Sequence, residues 1–134
     1  MPVDEITGGF TFLGYIPDGS DKQHLGIVLG IKDVLLKYCY GTSQFVKITN
    51  NTDFVKIPAE KMSVYFNDPK DTYIFLSPQH IIDMLLITFK SRIDSEYDVK
   101  PPMNKDIFVS ILSKIENSDN LPDRFKQEFF KFLE

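Results

Sequence analysis

Gly41-Thr42-Ser43-Gln44 follows the apolar run "VLLKYCY" and sets two hydroxyls, a side-chain amide and successive backbone N–H groups directly after a glycine. Held at the end of a strand, such donors take a phosphate or an oxyanion. The same four residues also read as an ordinary turn. A second polar residue, His24, opens the preceding apolar run "HLGIVLG". Histidine as a residue type exchanges protons near neutral pH. Its plain alternative is a surface residue at a strand end.

Two strands must position these groups. Leu25, Ile27 and Leu29 alternate with His24, Gly26 and Val28. In the next run Val34, Leu36, Tyr38 and Tyr40 share one side, and Leu35, Lys37 and Cys39 the other. A turn near Gly30–Asp33 makes the pair antiparallel. Before them "FTFLGYI" alternates and ends in the turn-forming "PDGSDK"; after them "FVKI", "MSVYF" and "TYIFL" read as three further strands. The period then changes. "SPQHIIDMLLITFKSRI" offers Ser77 as an N-cap, Pro78 at the first helical position and apolar residues at helical spacing. "DSEYDVKPP" reads as a charged connector, and helices are predicted over "NKDIFVSILSKIENS" and "PDRFKQEFFKFLE". Phe125, Phe129 and Phe132 form a stripe on the last helix, which predicts docking on the chain's own sheet. The fold class expected is α+β in a single domain over 1–134. A small, strongly bent sheet or barrel of five to six strands with the long helix occupies 8–93, and a C-terminal helical extension occupies 103–134.

Composition excludes several chemistries. A chain of 134 residues buries a core without disulfides or metal. The lone Cys39, inside a strand pattern, reads as a small core residue in a reducing compartment rather than a nucleophile. Two histidines far apart and no cysteine pair argue against a zinc site, so neither metal nor cofactor is expected; His80 reads as a capping or surface residue. There is no Gly-Lys-Ser/Thr loop and no Gly-x-Ser-x-Gly elbow. No run is long enough for a membrane helix, and the first residues are acidic where a signal peptide is basic, so the expectation is a soluble, cytoplasmic protein without membrane contact. The net charge is -4, yet six lysines from Lys22 to Lys61 oppose only Asp33, Asp53 and Glu60, while the region from Asp94 onward is acidic. A modest anion-binding surface and scattered solubilising lysines both fit this distribution.

In order and spacing, the first strand, the polar loop, "HLGIVLG", "VLLKYCYGTSQ" and the later "KIPAEKMSVY" resemble the PemK/MazF-like toxin family. The resemblance spans about 8–93 and is sharpest at "HLGIVLG" and "GTSQ". It implies an SH3-like (PemK/MazF-like) β-barrel and metal-independent cleavage of single-stranded RNA, as one half of a toxin-antitoxin pair. On it, His24 matches the basic residue entering the second strand, Thr42 and Ser43 the hydroxyls at the scissile phosphate, and Gln44 the amide closing the pocket. An antitoxin of protein or RNA would be the partner, and a homodimer is compatible with it.

Such a reaction needs a base for the 2′-hydroxyl proton, an acid for the departing 5′-oxygen and donors for the phosphate oxygens. His24 would serve as base or acid, and Thr42 and Ser43 as donors. Both arginines, Arg92 and Arg124, lie outside the motif, so Lys22 would supply the positive charge. Tyr38 and Tyr40 would stack on bases or else belong to the core. The segment from Pro17 to Gln23 would gate the site. The alternative is a binding module on the same scaffold, such as a phage or mobile-element protein that acts by contact with another protein.

Overall fold

The computed structural model describes residues 6–15, 23–43 and 53–134. Among these residues seven strands and three α-helices occur in the order β1 (Thr11–Gly14), β2 (His24–Lys32), β3 (Leu35–Thr42), β4 (Asp53–Ile57), β5 (Thr72–Leu76), β6 (Ile82–Leu85), α1 (Leu86–Ser95), β7 (Asp98–Lys100), α2 (Lys105–Glu116) and α3 (Asp123–Leu133). All pairings are antiparallel. The strands run β4-β5-β3-β2-β1-β7, with β6 alongside β3. The fold is thus α+β, as the sequence implies. The sheet is not closed into a barrel: among the described residues β4 and β7, at its two ends, do not pair with each other.

The β2–β3 hairpin is the spine, and its glycines are packing positions. A side chain at Gly26 would meet the Phe12 ring at 2.2 Å, and one at Gly30 would meet Leu133 at 2.4 Å. Both glycines therefore admit a large neighbour against bare backbone. A bulge between Val28 and Gly30 sets Gly30 opposite Lys37 and gives the hairpin its extra bend. Asp33, with φ 57°, takes the left-handed turn position that an aspartate tolerates.

Each face of the sheet has a core. Leu25, Ile27, Leu29, Cys39, Ile74 and Leu76 pack with Ile111 and Ile115 of α2 and Phe129 of α3. Phe12, Val28, Leu36, Tyr38 and Tyr40 pack with Phe89 of α1 and with Tyr97. Helix α2 starts where Asn104 accepts hydrogen bonds from the N–H groups of Asp106 and Ile107 at 2.9 and 3.3 Å. The Phe129 side chain is only 1% exposed, so the aromatic stripe of α3 does dock on the chain's own sheet. No helix of the described residues is long and apolar enough to cross a membrane.

Three expectations are corrected. "MSVYF" is no strand: a 3-10 turn at Ala59–Lys61 leads into turns closed by the N–H groups of Tyr65 and Phe66 on the carbonyl of Met62. Its packed side chains, Met62, Tyr65 and Phe66, follow helical rather than alternating spacing. The long helix from Ser77 is also shorter than predicted. Ile82–Leu85 is strand β6, paired with Leu35–Tyr38, and α1 begins only at Leu86. Unpaired backbone along that part of β3 is satisfied by the strand, which overrides local helix preference. The connector, third, contains β7, which covers the outer edge of β1.

Candidate functional site

At one end of the sheet, where β2 and β5 begin and β3 finishes, lies a cavity of about 260 Å³. Strand β2 contributes His24 and Leu25 to its wall, with Gln23 just before it, and β3 contributes Gly41 and Thr42, with Ser43 just after it. Their meeting follows from register. Leu25 faces Gly41 across the antiparallel pair, so His24 and Thr42 are the next residues out on their two strands. Thr42 in turn faces Tyr73 of β5, which brings Thr72 to the same wall. A side chain at Gly41 would strike Thr72 at 2.5 Å, so this glycine is needed for β5 to close on β3 here.

His24 is anchored. Its Nδ1 lies 3.0 Å from the carbonyl oxygen of Gly41, an acceptor only, so Nδ1 carries a proton and donates it. Nε2 is then the acceptor nitrogen of the neutral ring. It is buried in this conformation. The ring edge meets Tyr40 at 5.9 Å between centroids.

The other half of the wall was not legible as a site. Phe66, Asp68 and Lys70 come from the segment read as a strand and its following turn. That segment is held firmly. The buried Thr72 donates through Oγ1 to the carbonyl of Lys70 at 3.2 Å. Asp71 accepts the N–H of Ala59 at 2.9 Å and pairs with Lys56 at 3.5 Å. Its carboxyl is held below the usual aspartate range by the Ala59 N–H first, with Lys56 adding to the effect. The only sequence signal for this half was the charge of "NDPKD", which any turn would share.

Tyr38 and Tyr40 do not line the cavity. Tyr38 is fully buried against Phe12, and Tyr40 is buried between His24 and His80, so neither ring offers a face for stacking a base. The core alternative in the sequence reading is the one their burial fits. Lys22, Gln44 and residues 17–22 of the proposed gate lie outside the described residues. His80 is neither a helix cap nor fully exposed. Its Nδ1 is 2.5 Å from Ser77 Oγ, its ring packs on Tyr40 and Phe75, and burial pushes its pKa down. Burial pushes the Cys39 thiol up to about 12, which suits a core residue. Among the described residues no three His, Cys, Asp or Glu side chains are grouped to hold a metal ion.

The chain matches no protein-family model, no curated protein and no solved structure.

Proposed function

We propose that this cavity binds the phosphodiester of single-stranded RNA and that the protein is a metal-independent endoribonuclease, the toxin of a toxin-antitoxin pair acting in the cytoplasm. The observation that carries the reading is that His24, Thr42 and Ser43, 18 or more residues apart between the histidine and the hydroxyls, line one cavity. The PemK/MazF-like likeness of "HLGIVLG" and "GTSQ" supports the same assignment.

In the reaction the 2′-oxygen attacks phosphorus, the bond from phosphorus to the 5′-oxygen breaks, and a 2′,3′-cyclic phosphate and a 5′-hydroxyl result. The proton of the 2′-hydroxyl leaves to a base and the 5′-oxygen takes one up. His24 is the proton-exchanging group, through Nε2, and the hydroxyls and amides of Thr42 and Ser43 stabilise charge on the phosphate oxygens. A second reading, a binding module without chemistry, is favoured by one observation: Nε2 of His24 is covered, so proton exchange requires the ring to move.

Incubating the protein with mixed single-stranded RNA in EDTA separates the two. Cleavage should appear, vanish in His24→Ala and fall about 10²–10³-fold in Thr42→Ala, with both variants folded. RNA that stays intact at every protein concentration would leave only the binding module.

A further inference from the structure

The hydroxyls of Thr42 and Ser43 are hydrogen-bonding groups that carry no charge, the Thr72 hydroxyl donates to the Lys70 carbonyl, and neither arginine of the chain lines the cavity. A phosphodiester leaving water for such a wall needs a cation, because uncharged donors alone replace its hydration poorly. Among the described residues, one lysine lines the cavity, Lys70. We infer that Lys70 is the anion-holding residue of this site: its ammonium takes the phosphate oxygens of an RNA chain whose phosphodiester rests against Thr42 and Ser43. This rests on the RNA reading above and adds to it the residue that supplies the charge.

Three observations support the assignment. Lys70 forms no ion pair among the described residues, unlike Lys37, Lys56, Lys100 and Lys126. The neighbouring Asp71 is turned to the opposite task, engaged with Lys56 and the Ala59 N–H. The Lys70 backbone is fixed by the bond from buried Thr72, which places the root of a long, flexible side chain at the cavity wall and reduces the freedom lost on binding.

The cavity also states what accompanies the anion. Asp68 lines it beside Lys70, and a carboxylate only accepts hydrogen bonds. A ligand with an anion and hydrogen-bond donors side by side suits this pairing, and a nucleotide has both: a phosphate next to ribose hydroxyls and base amino groups. At about 260 Å³ the space suits one such unit, being slightly smaller than the range of about 300–1,000 Å³ common for small-molecule pockets.

The test is binding rather than cleavage. A fluorescein-labelled, mixed-sequence single strand with 2′-fluoro riboses, which lacks the attacking hydroxyl, is titrated with full-length protein in EDTA over a series of salt concentrations. Lys70→Met should weaken binding roughly tenfold. It should also flatten the slope of log affinity against log salt by about 0.7, the value for one phosphate contact on a single strand. Lys70→Arg should restore both. Wild-type binding that Thr42→Ala weakens, with affinity and slope unchanged in Lys70→Met, would overturn the Lys70 assignment and leave the RNA site standing. No wild-type binding at any salt concentration would overturn the RNA reading, and the assignment with it.

Discussion

Leu25, Ile27 and Cys39 look from the sheet toward α2 and α3, whereas Val28, Tyr38 and Tyr40, from the same two strands, look toward α1. The first face is covered mainly by aliphatic side chains and by Phe129, so what holds it is removal of apolar surface from water. The second is an aromatic cluster in which Phe12 meets Tyr38, Phe89 and Tyr97 at centroid distances of 4.5–5.4 Å. It also encloses polar atoms: the Tyr38 hydroxyl, the Tyr97 hydroxyl with a donor from Arg92 at 3.3 Å, and the two histidines on either side of Tyr40. One backbone thus carries a face whose titratable core groups, Cys39 and Tyr65, are pushed up by burial and keep their protons at neutral pH and below, and a face beside which His80 is pushed down. The cavity, which takes Leu25 and Gly41 from the first face and His24 from the second, sits where the two meet.

The largest effect should come from the aliphatic face. Phe129 is buried, Leu133 rests on Gly30, and the Lys37 ammonium lies 4.9 Å above the Phe132 ring. Truncation of a buried phenylalanine to alanine typically costs about 3–5 kcal/mol, against a net stability of about 5–15 kcal/mol for a domain. Phe129→Ala should therefore lower the Tm by roughly 10 °C or more, and removal of 121–134 should lower it further and expose dye-binding apolar surface. A truncated protein that melts with the full chain would mean that α3 is an appendage and that the first face is closed by something else.

A contrary sign is expected on the aromatic face. Among the described residues no group lies within hydrogen-bond geometry of the buried Tyr38 hydroxyl, and burial, followed by the nearby Tyr97 phenol, pushes its pKa well above the usual tyrosine range. Leaving such a group unsatisfied is unfavourable by about 1–3 kcal/mol. Tyr38→Phe removes the oxygen, keeps the ring against Phe12 and should melt at or above the wild-type temperature. A loss of several degrees would show that the hydroxyl holds a partner and that the second face depends on it.

How far these features are legible in the sequence depends on the distance over which they are set. The alternation in β2 and β3, and the assignment of Cys39 and the α3 stripe to the core, follow from side-chain period alone. His24, Thr42 and Ser43 stood out because polar residues at the ends of apolar strands need a reason. Period misleads where pairing decides. Ile82–Leu85 suits a helix face and a strand equally, and the vacant edge of β3 made it a strand. Tyr97 and β7 were hidden in a charged connector for the same reason. Asp68 and Lys70 carry no local signal beyond the charge of a turn, because what makes them part of the cavity is the closure of β5 on β3 through Gly41 and Thr72.

The smallest expected effect is a pH dependence confined to the second face. His80 sits between the rings of Tyr40 and Phe75, and burial lowers its pKa from the ordinary 6.5. Above pH 6.5 the side chain is neutral both folded and unfolded, and its contribution is fully present. As pH falls below that value the unfolded chain takes up a proton that the folded protein still refuses, so stability declines until the folded pKa is passed and then levels off. Between pH 7.5 and 5.5 the wild-type Tm should fall by roughly 1–3 °C from this source, a modest amount because the ring is only partly buried. His80→Phe keeps an aromatic ring between Tyr40 and Phe75 and should lose that part of the decline, whereas Phe129→Ala should lower the Tm equally at both pH values. If the His80→Phe protein declines as steeply as wild type, the polar character of this face resides in other groups, and the contrast between the two faces must be drawn without His80.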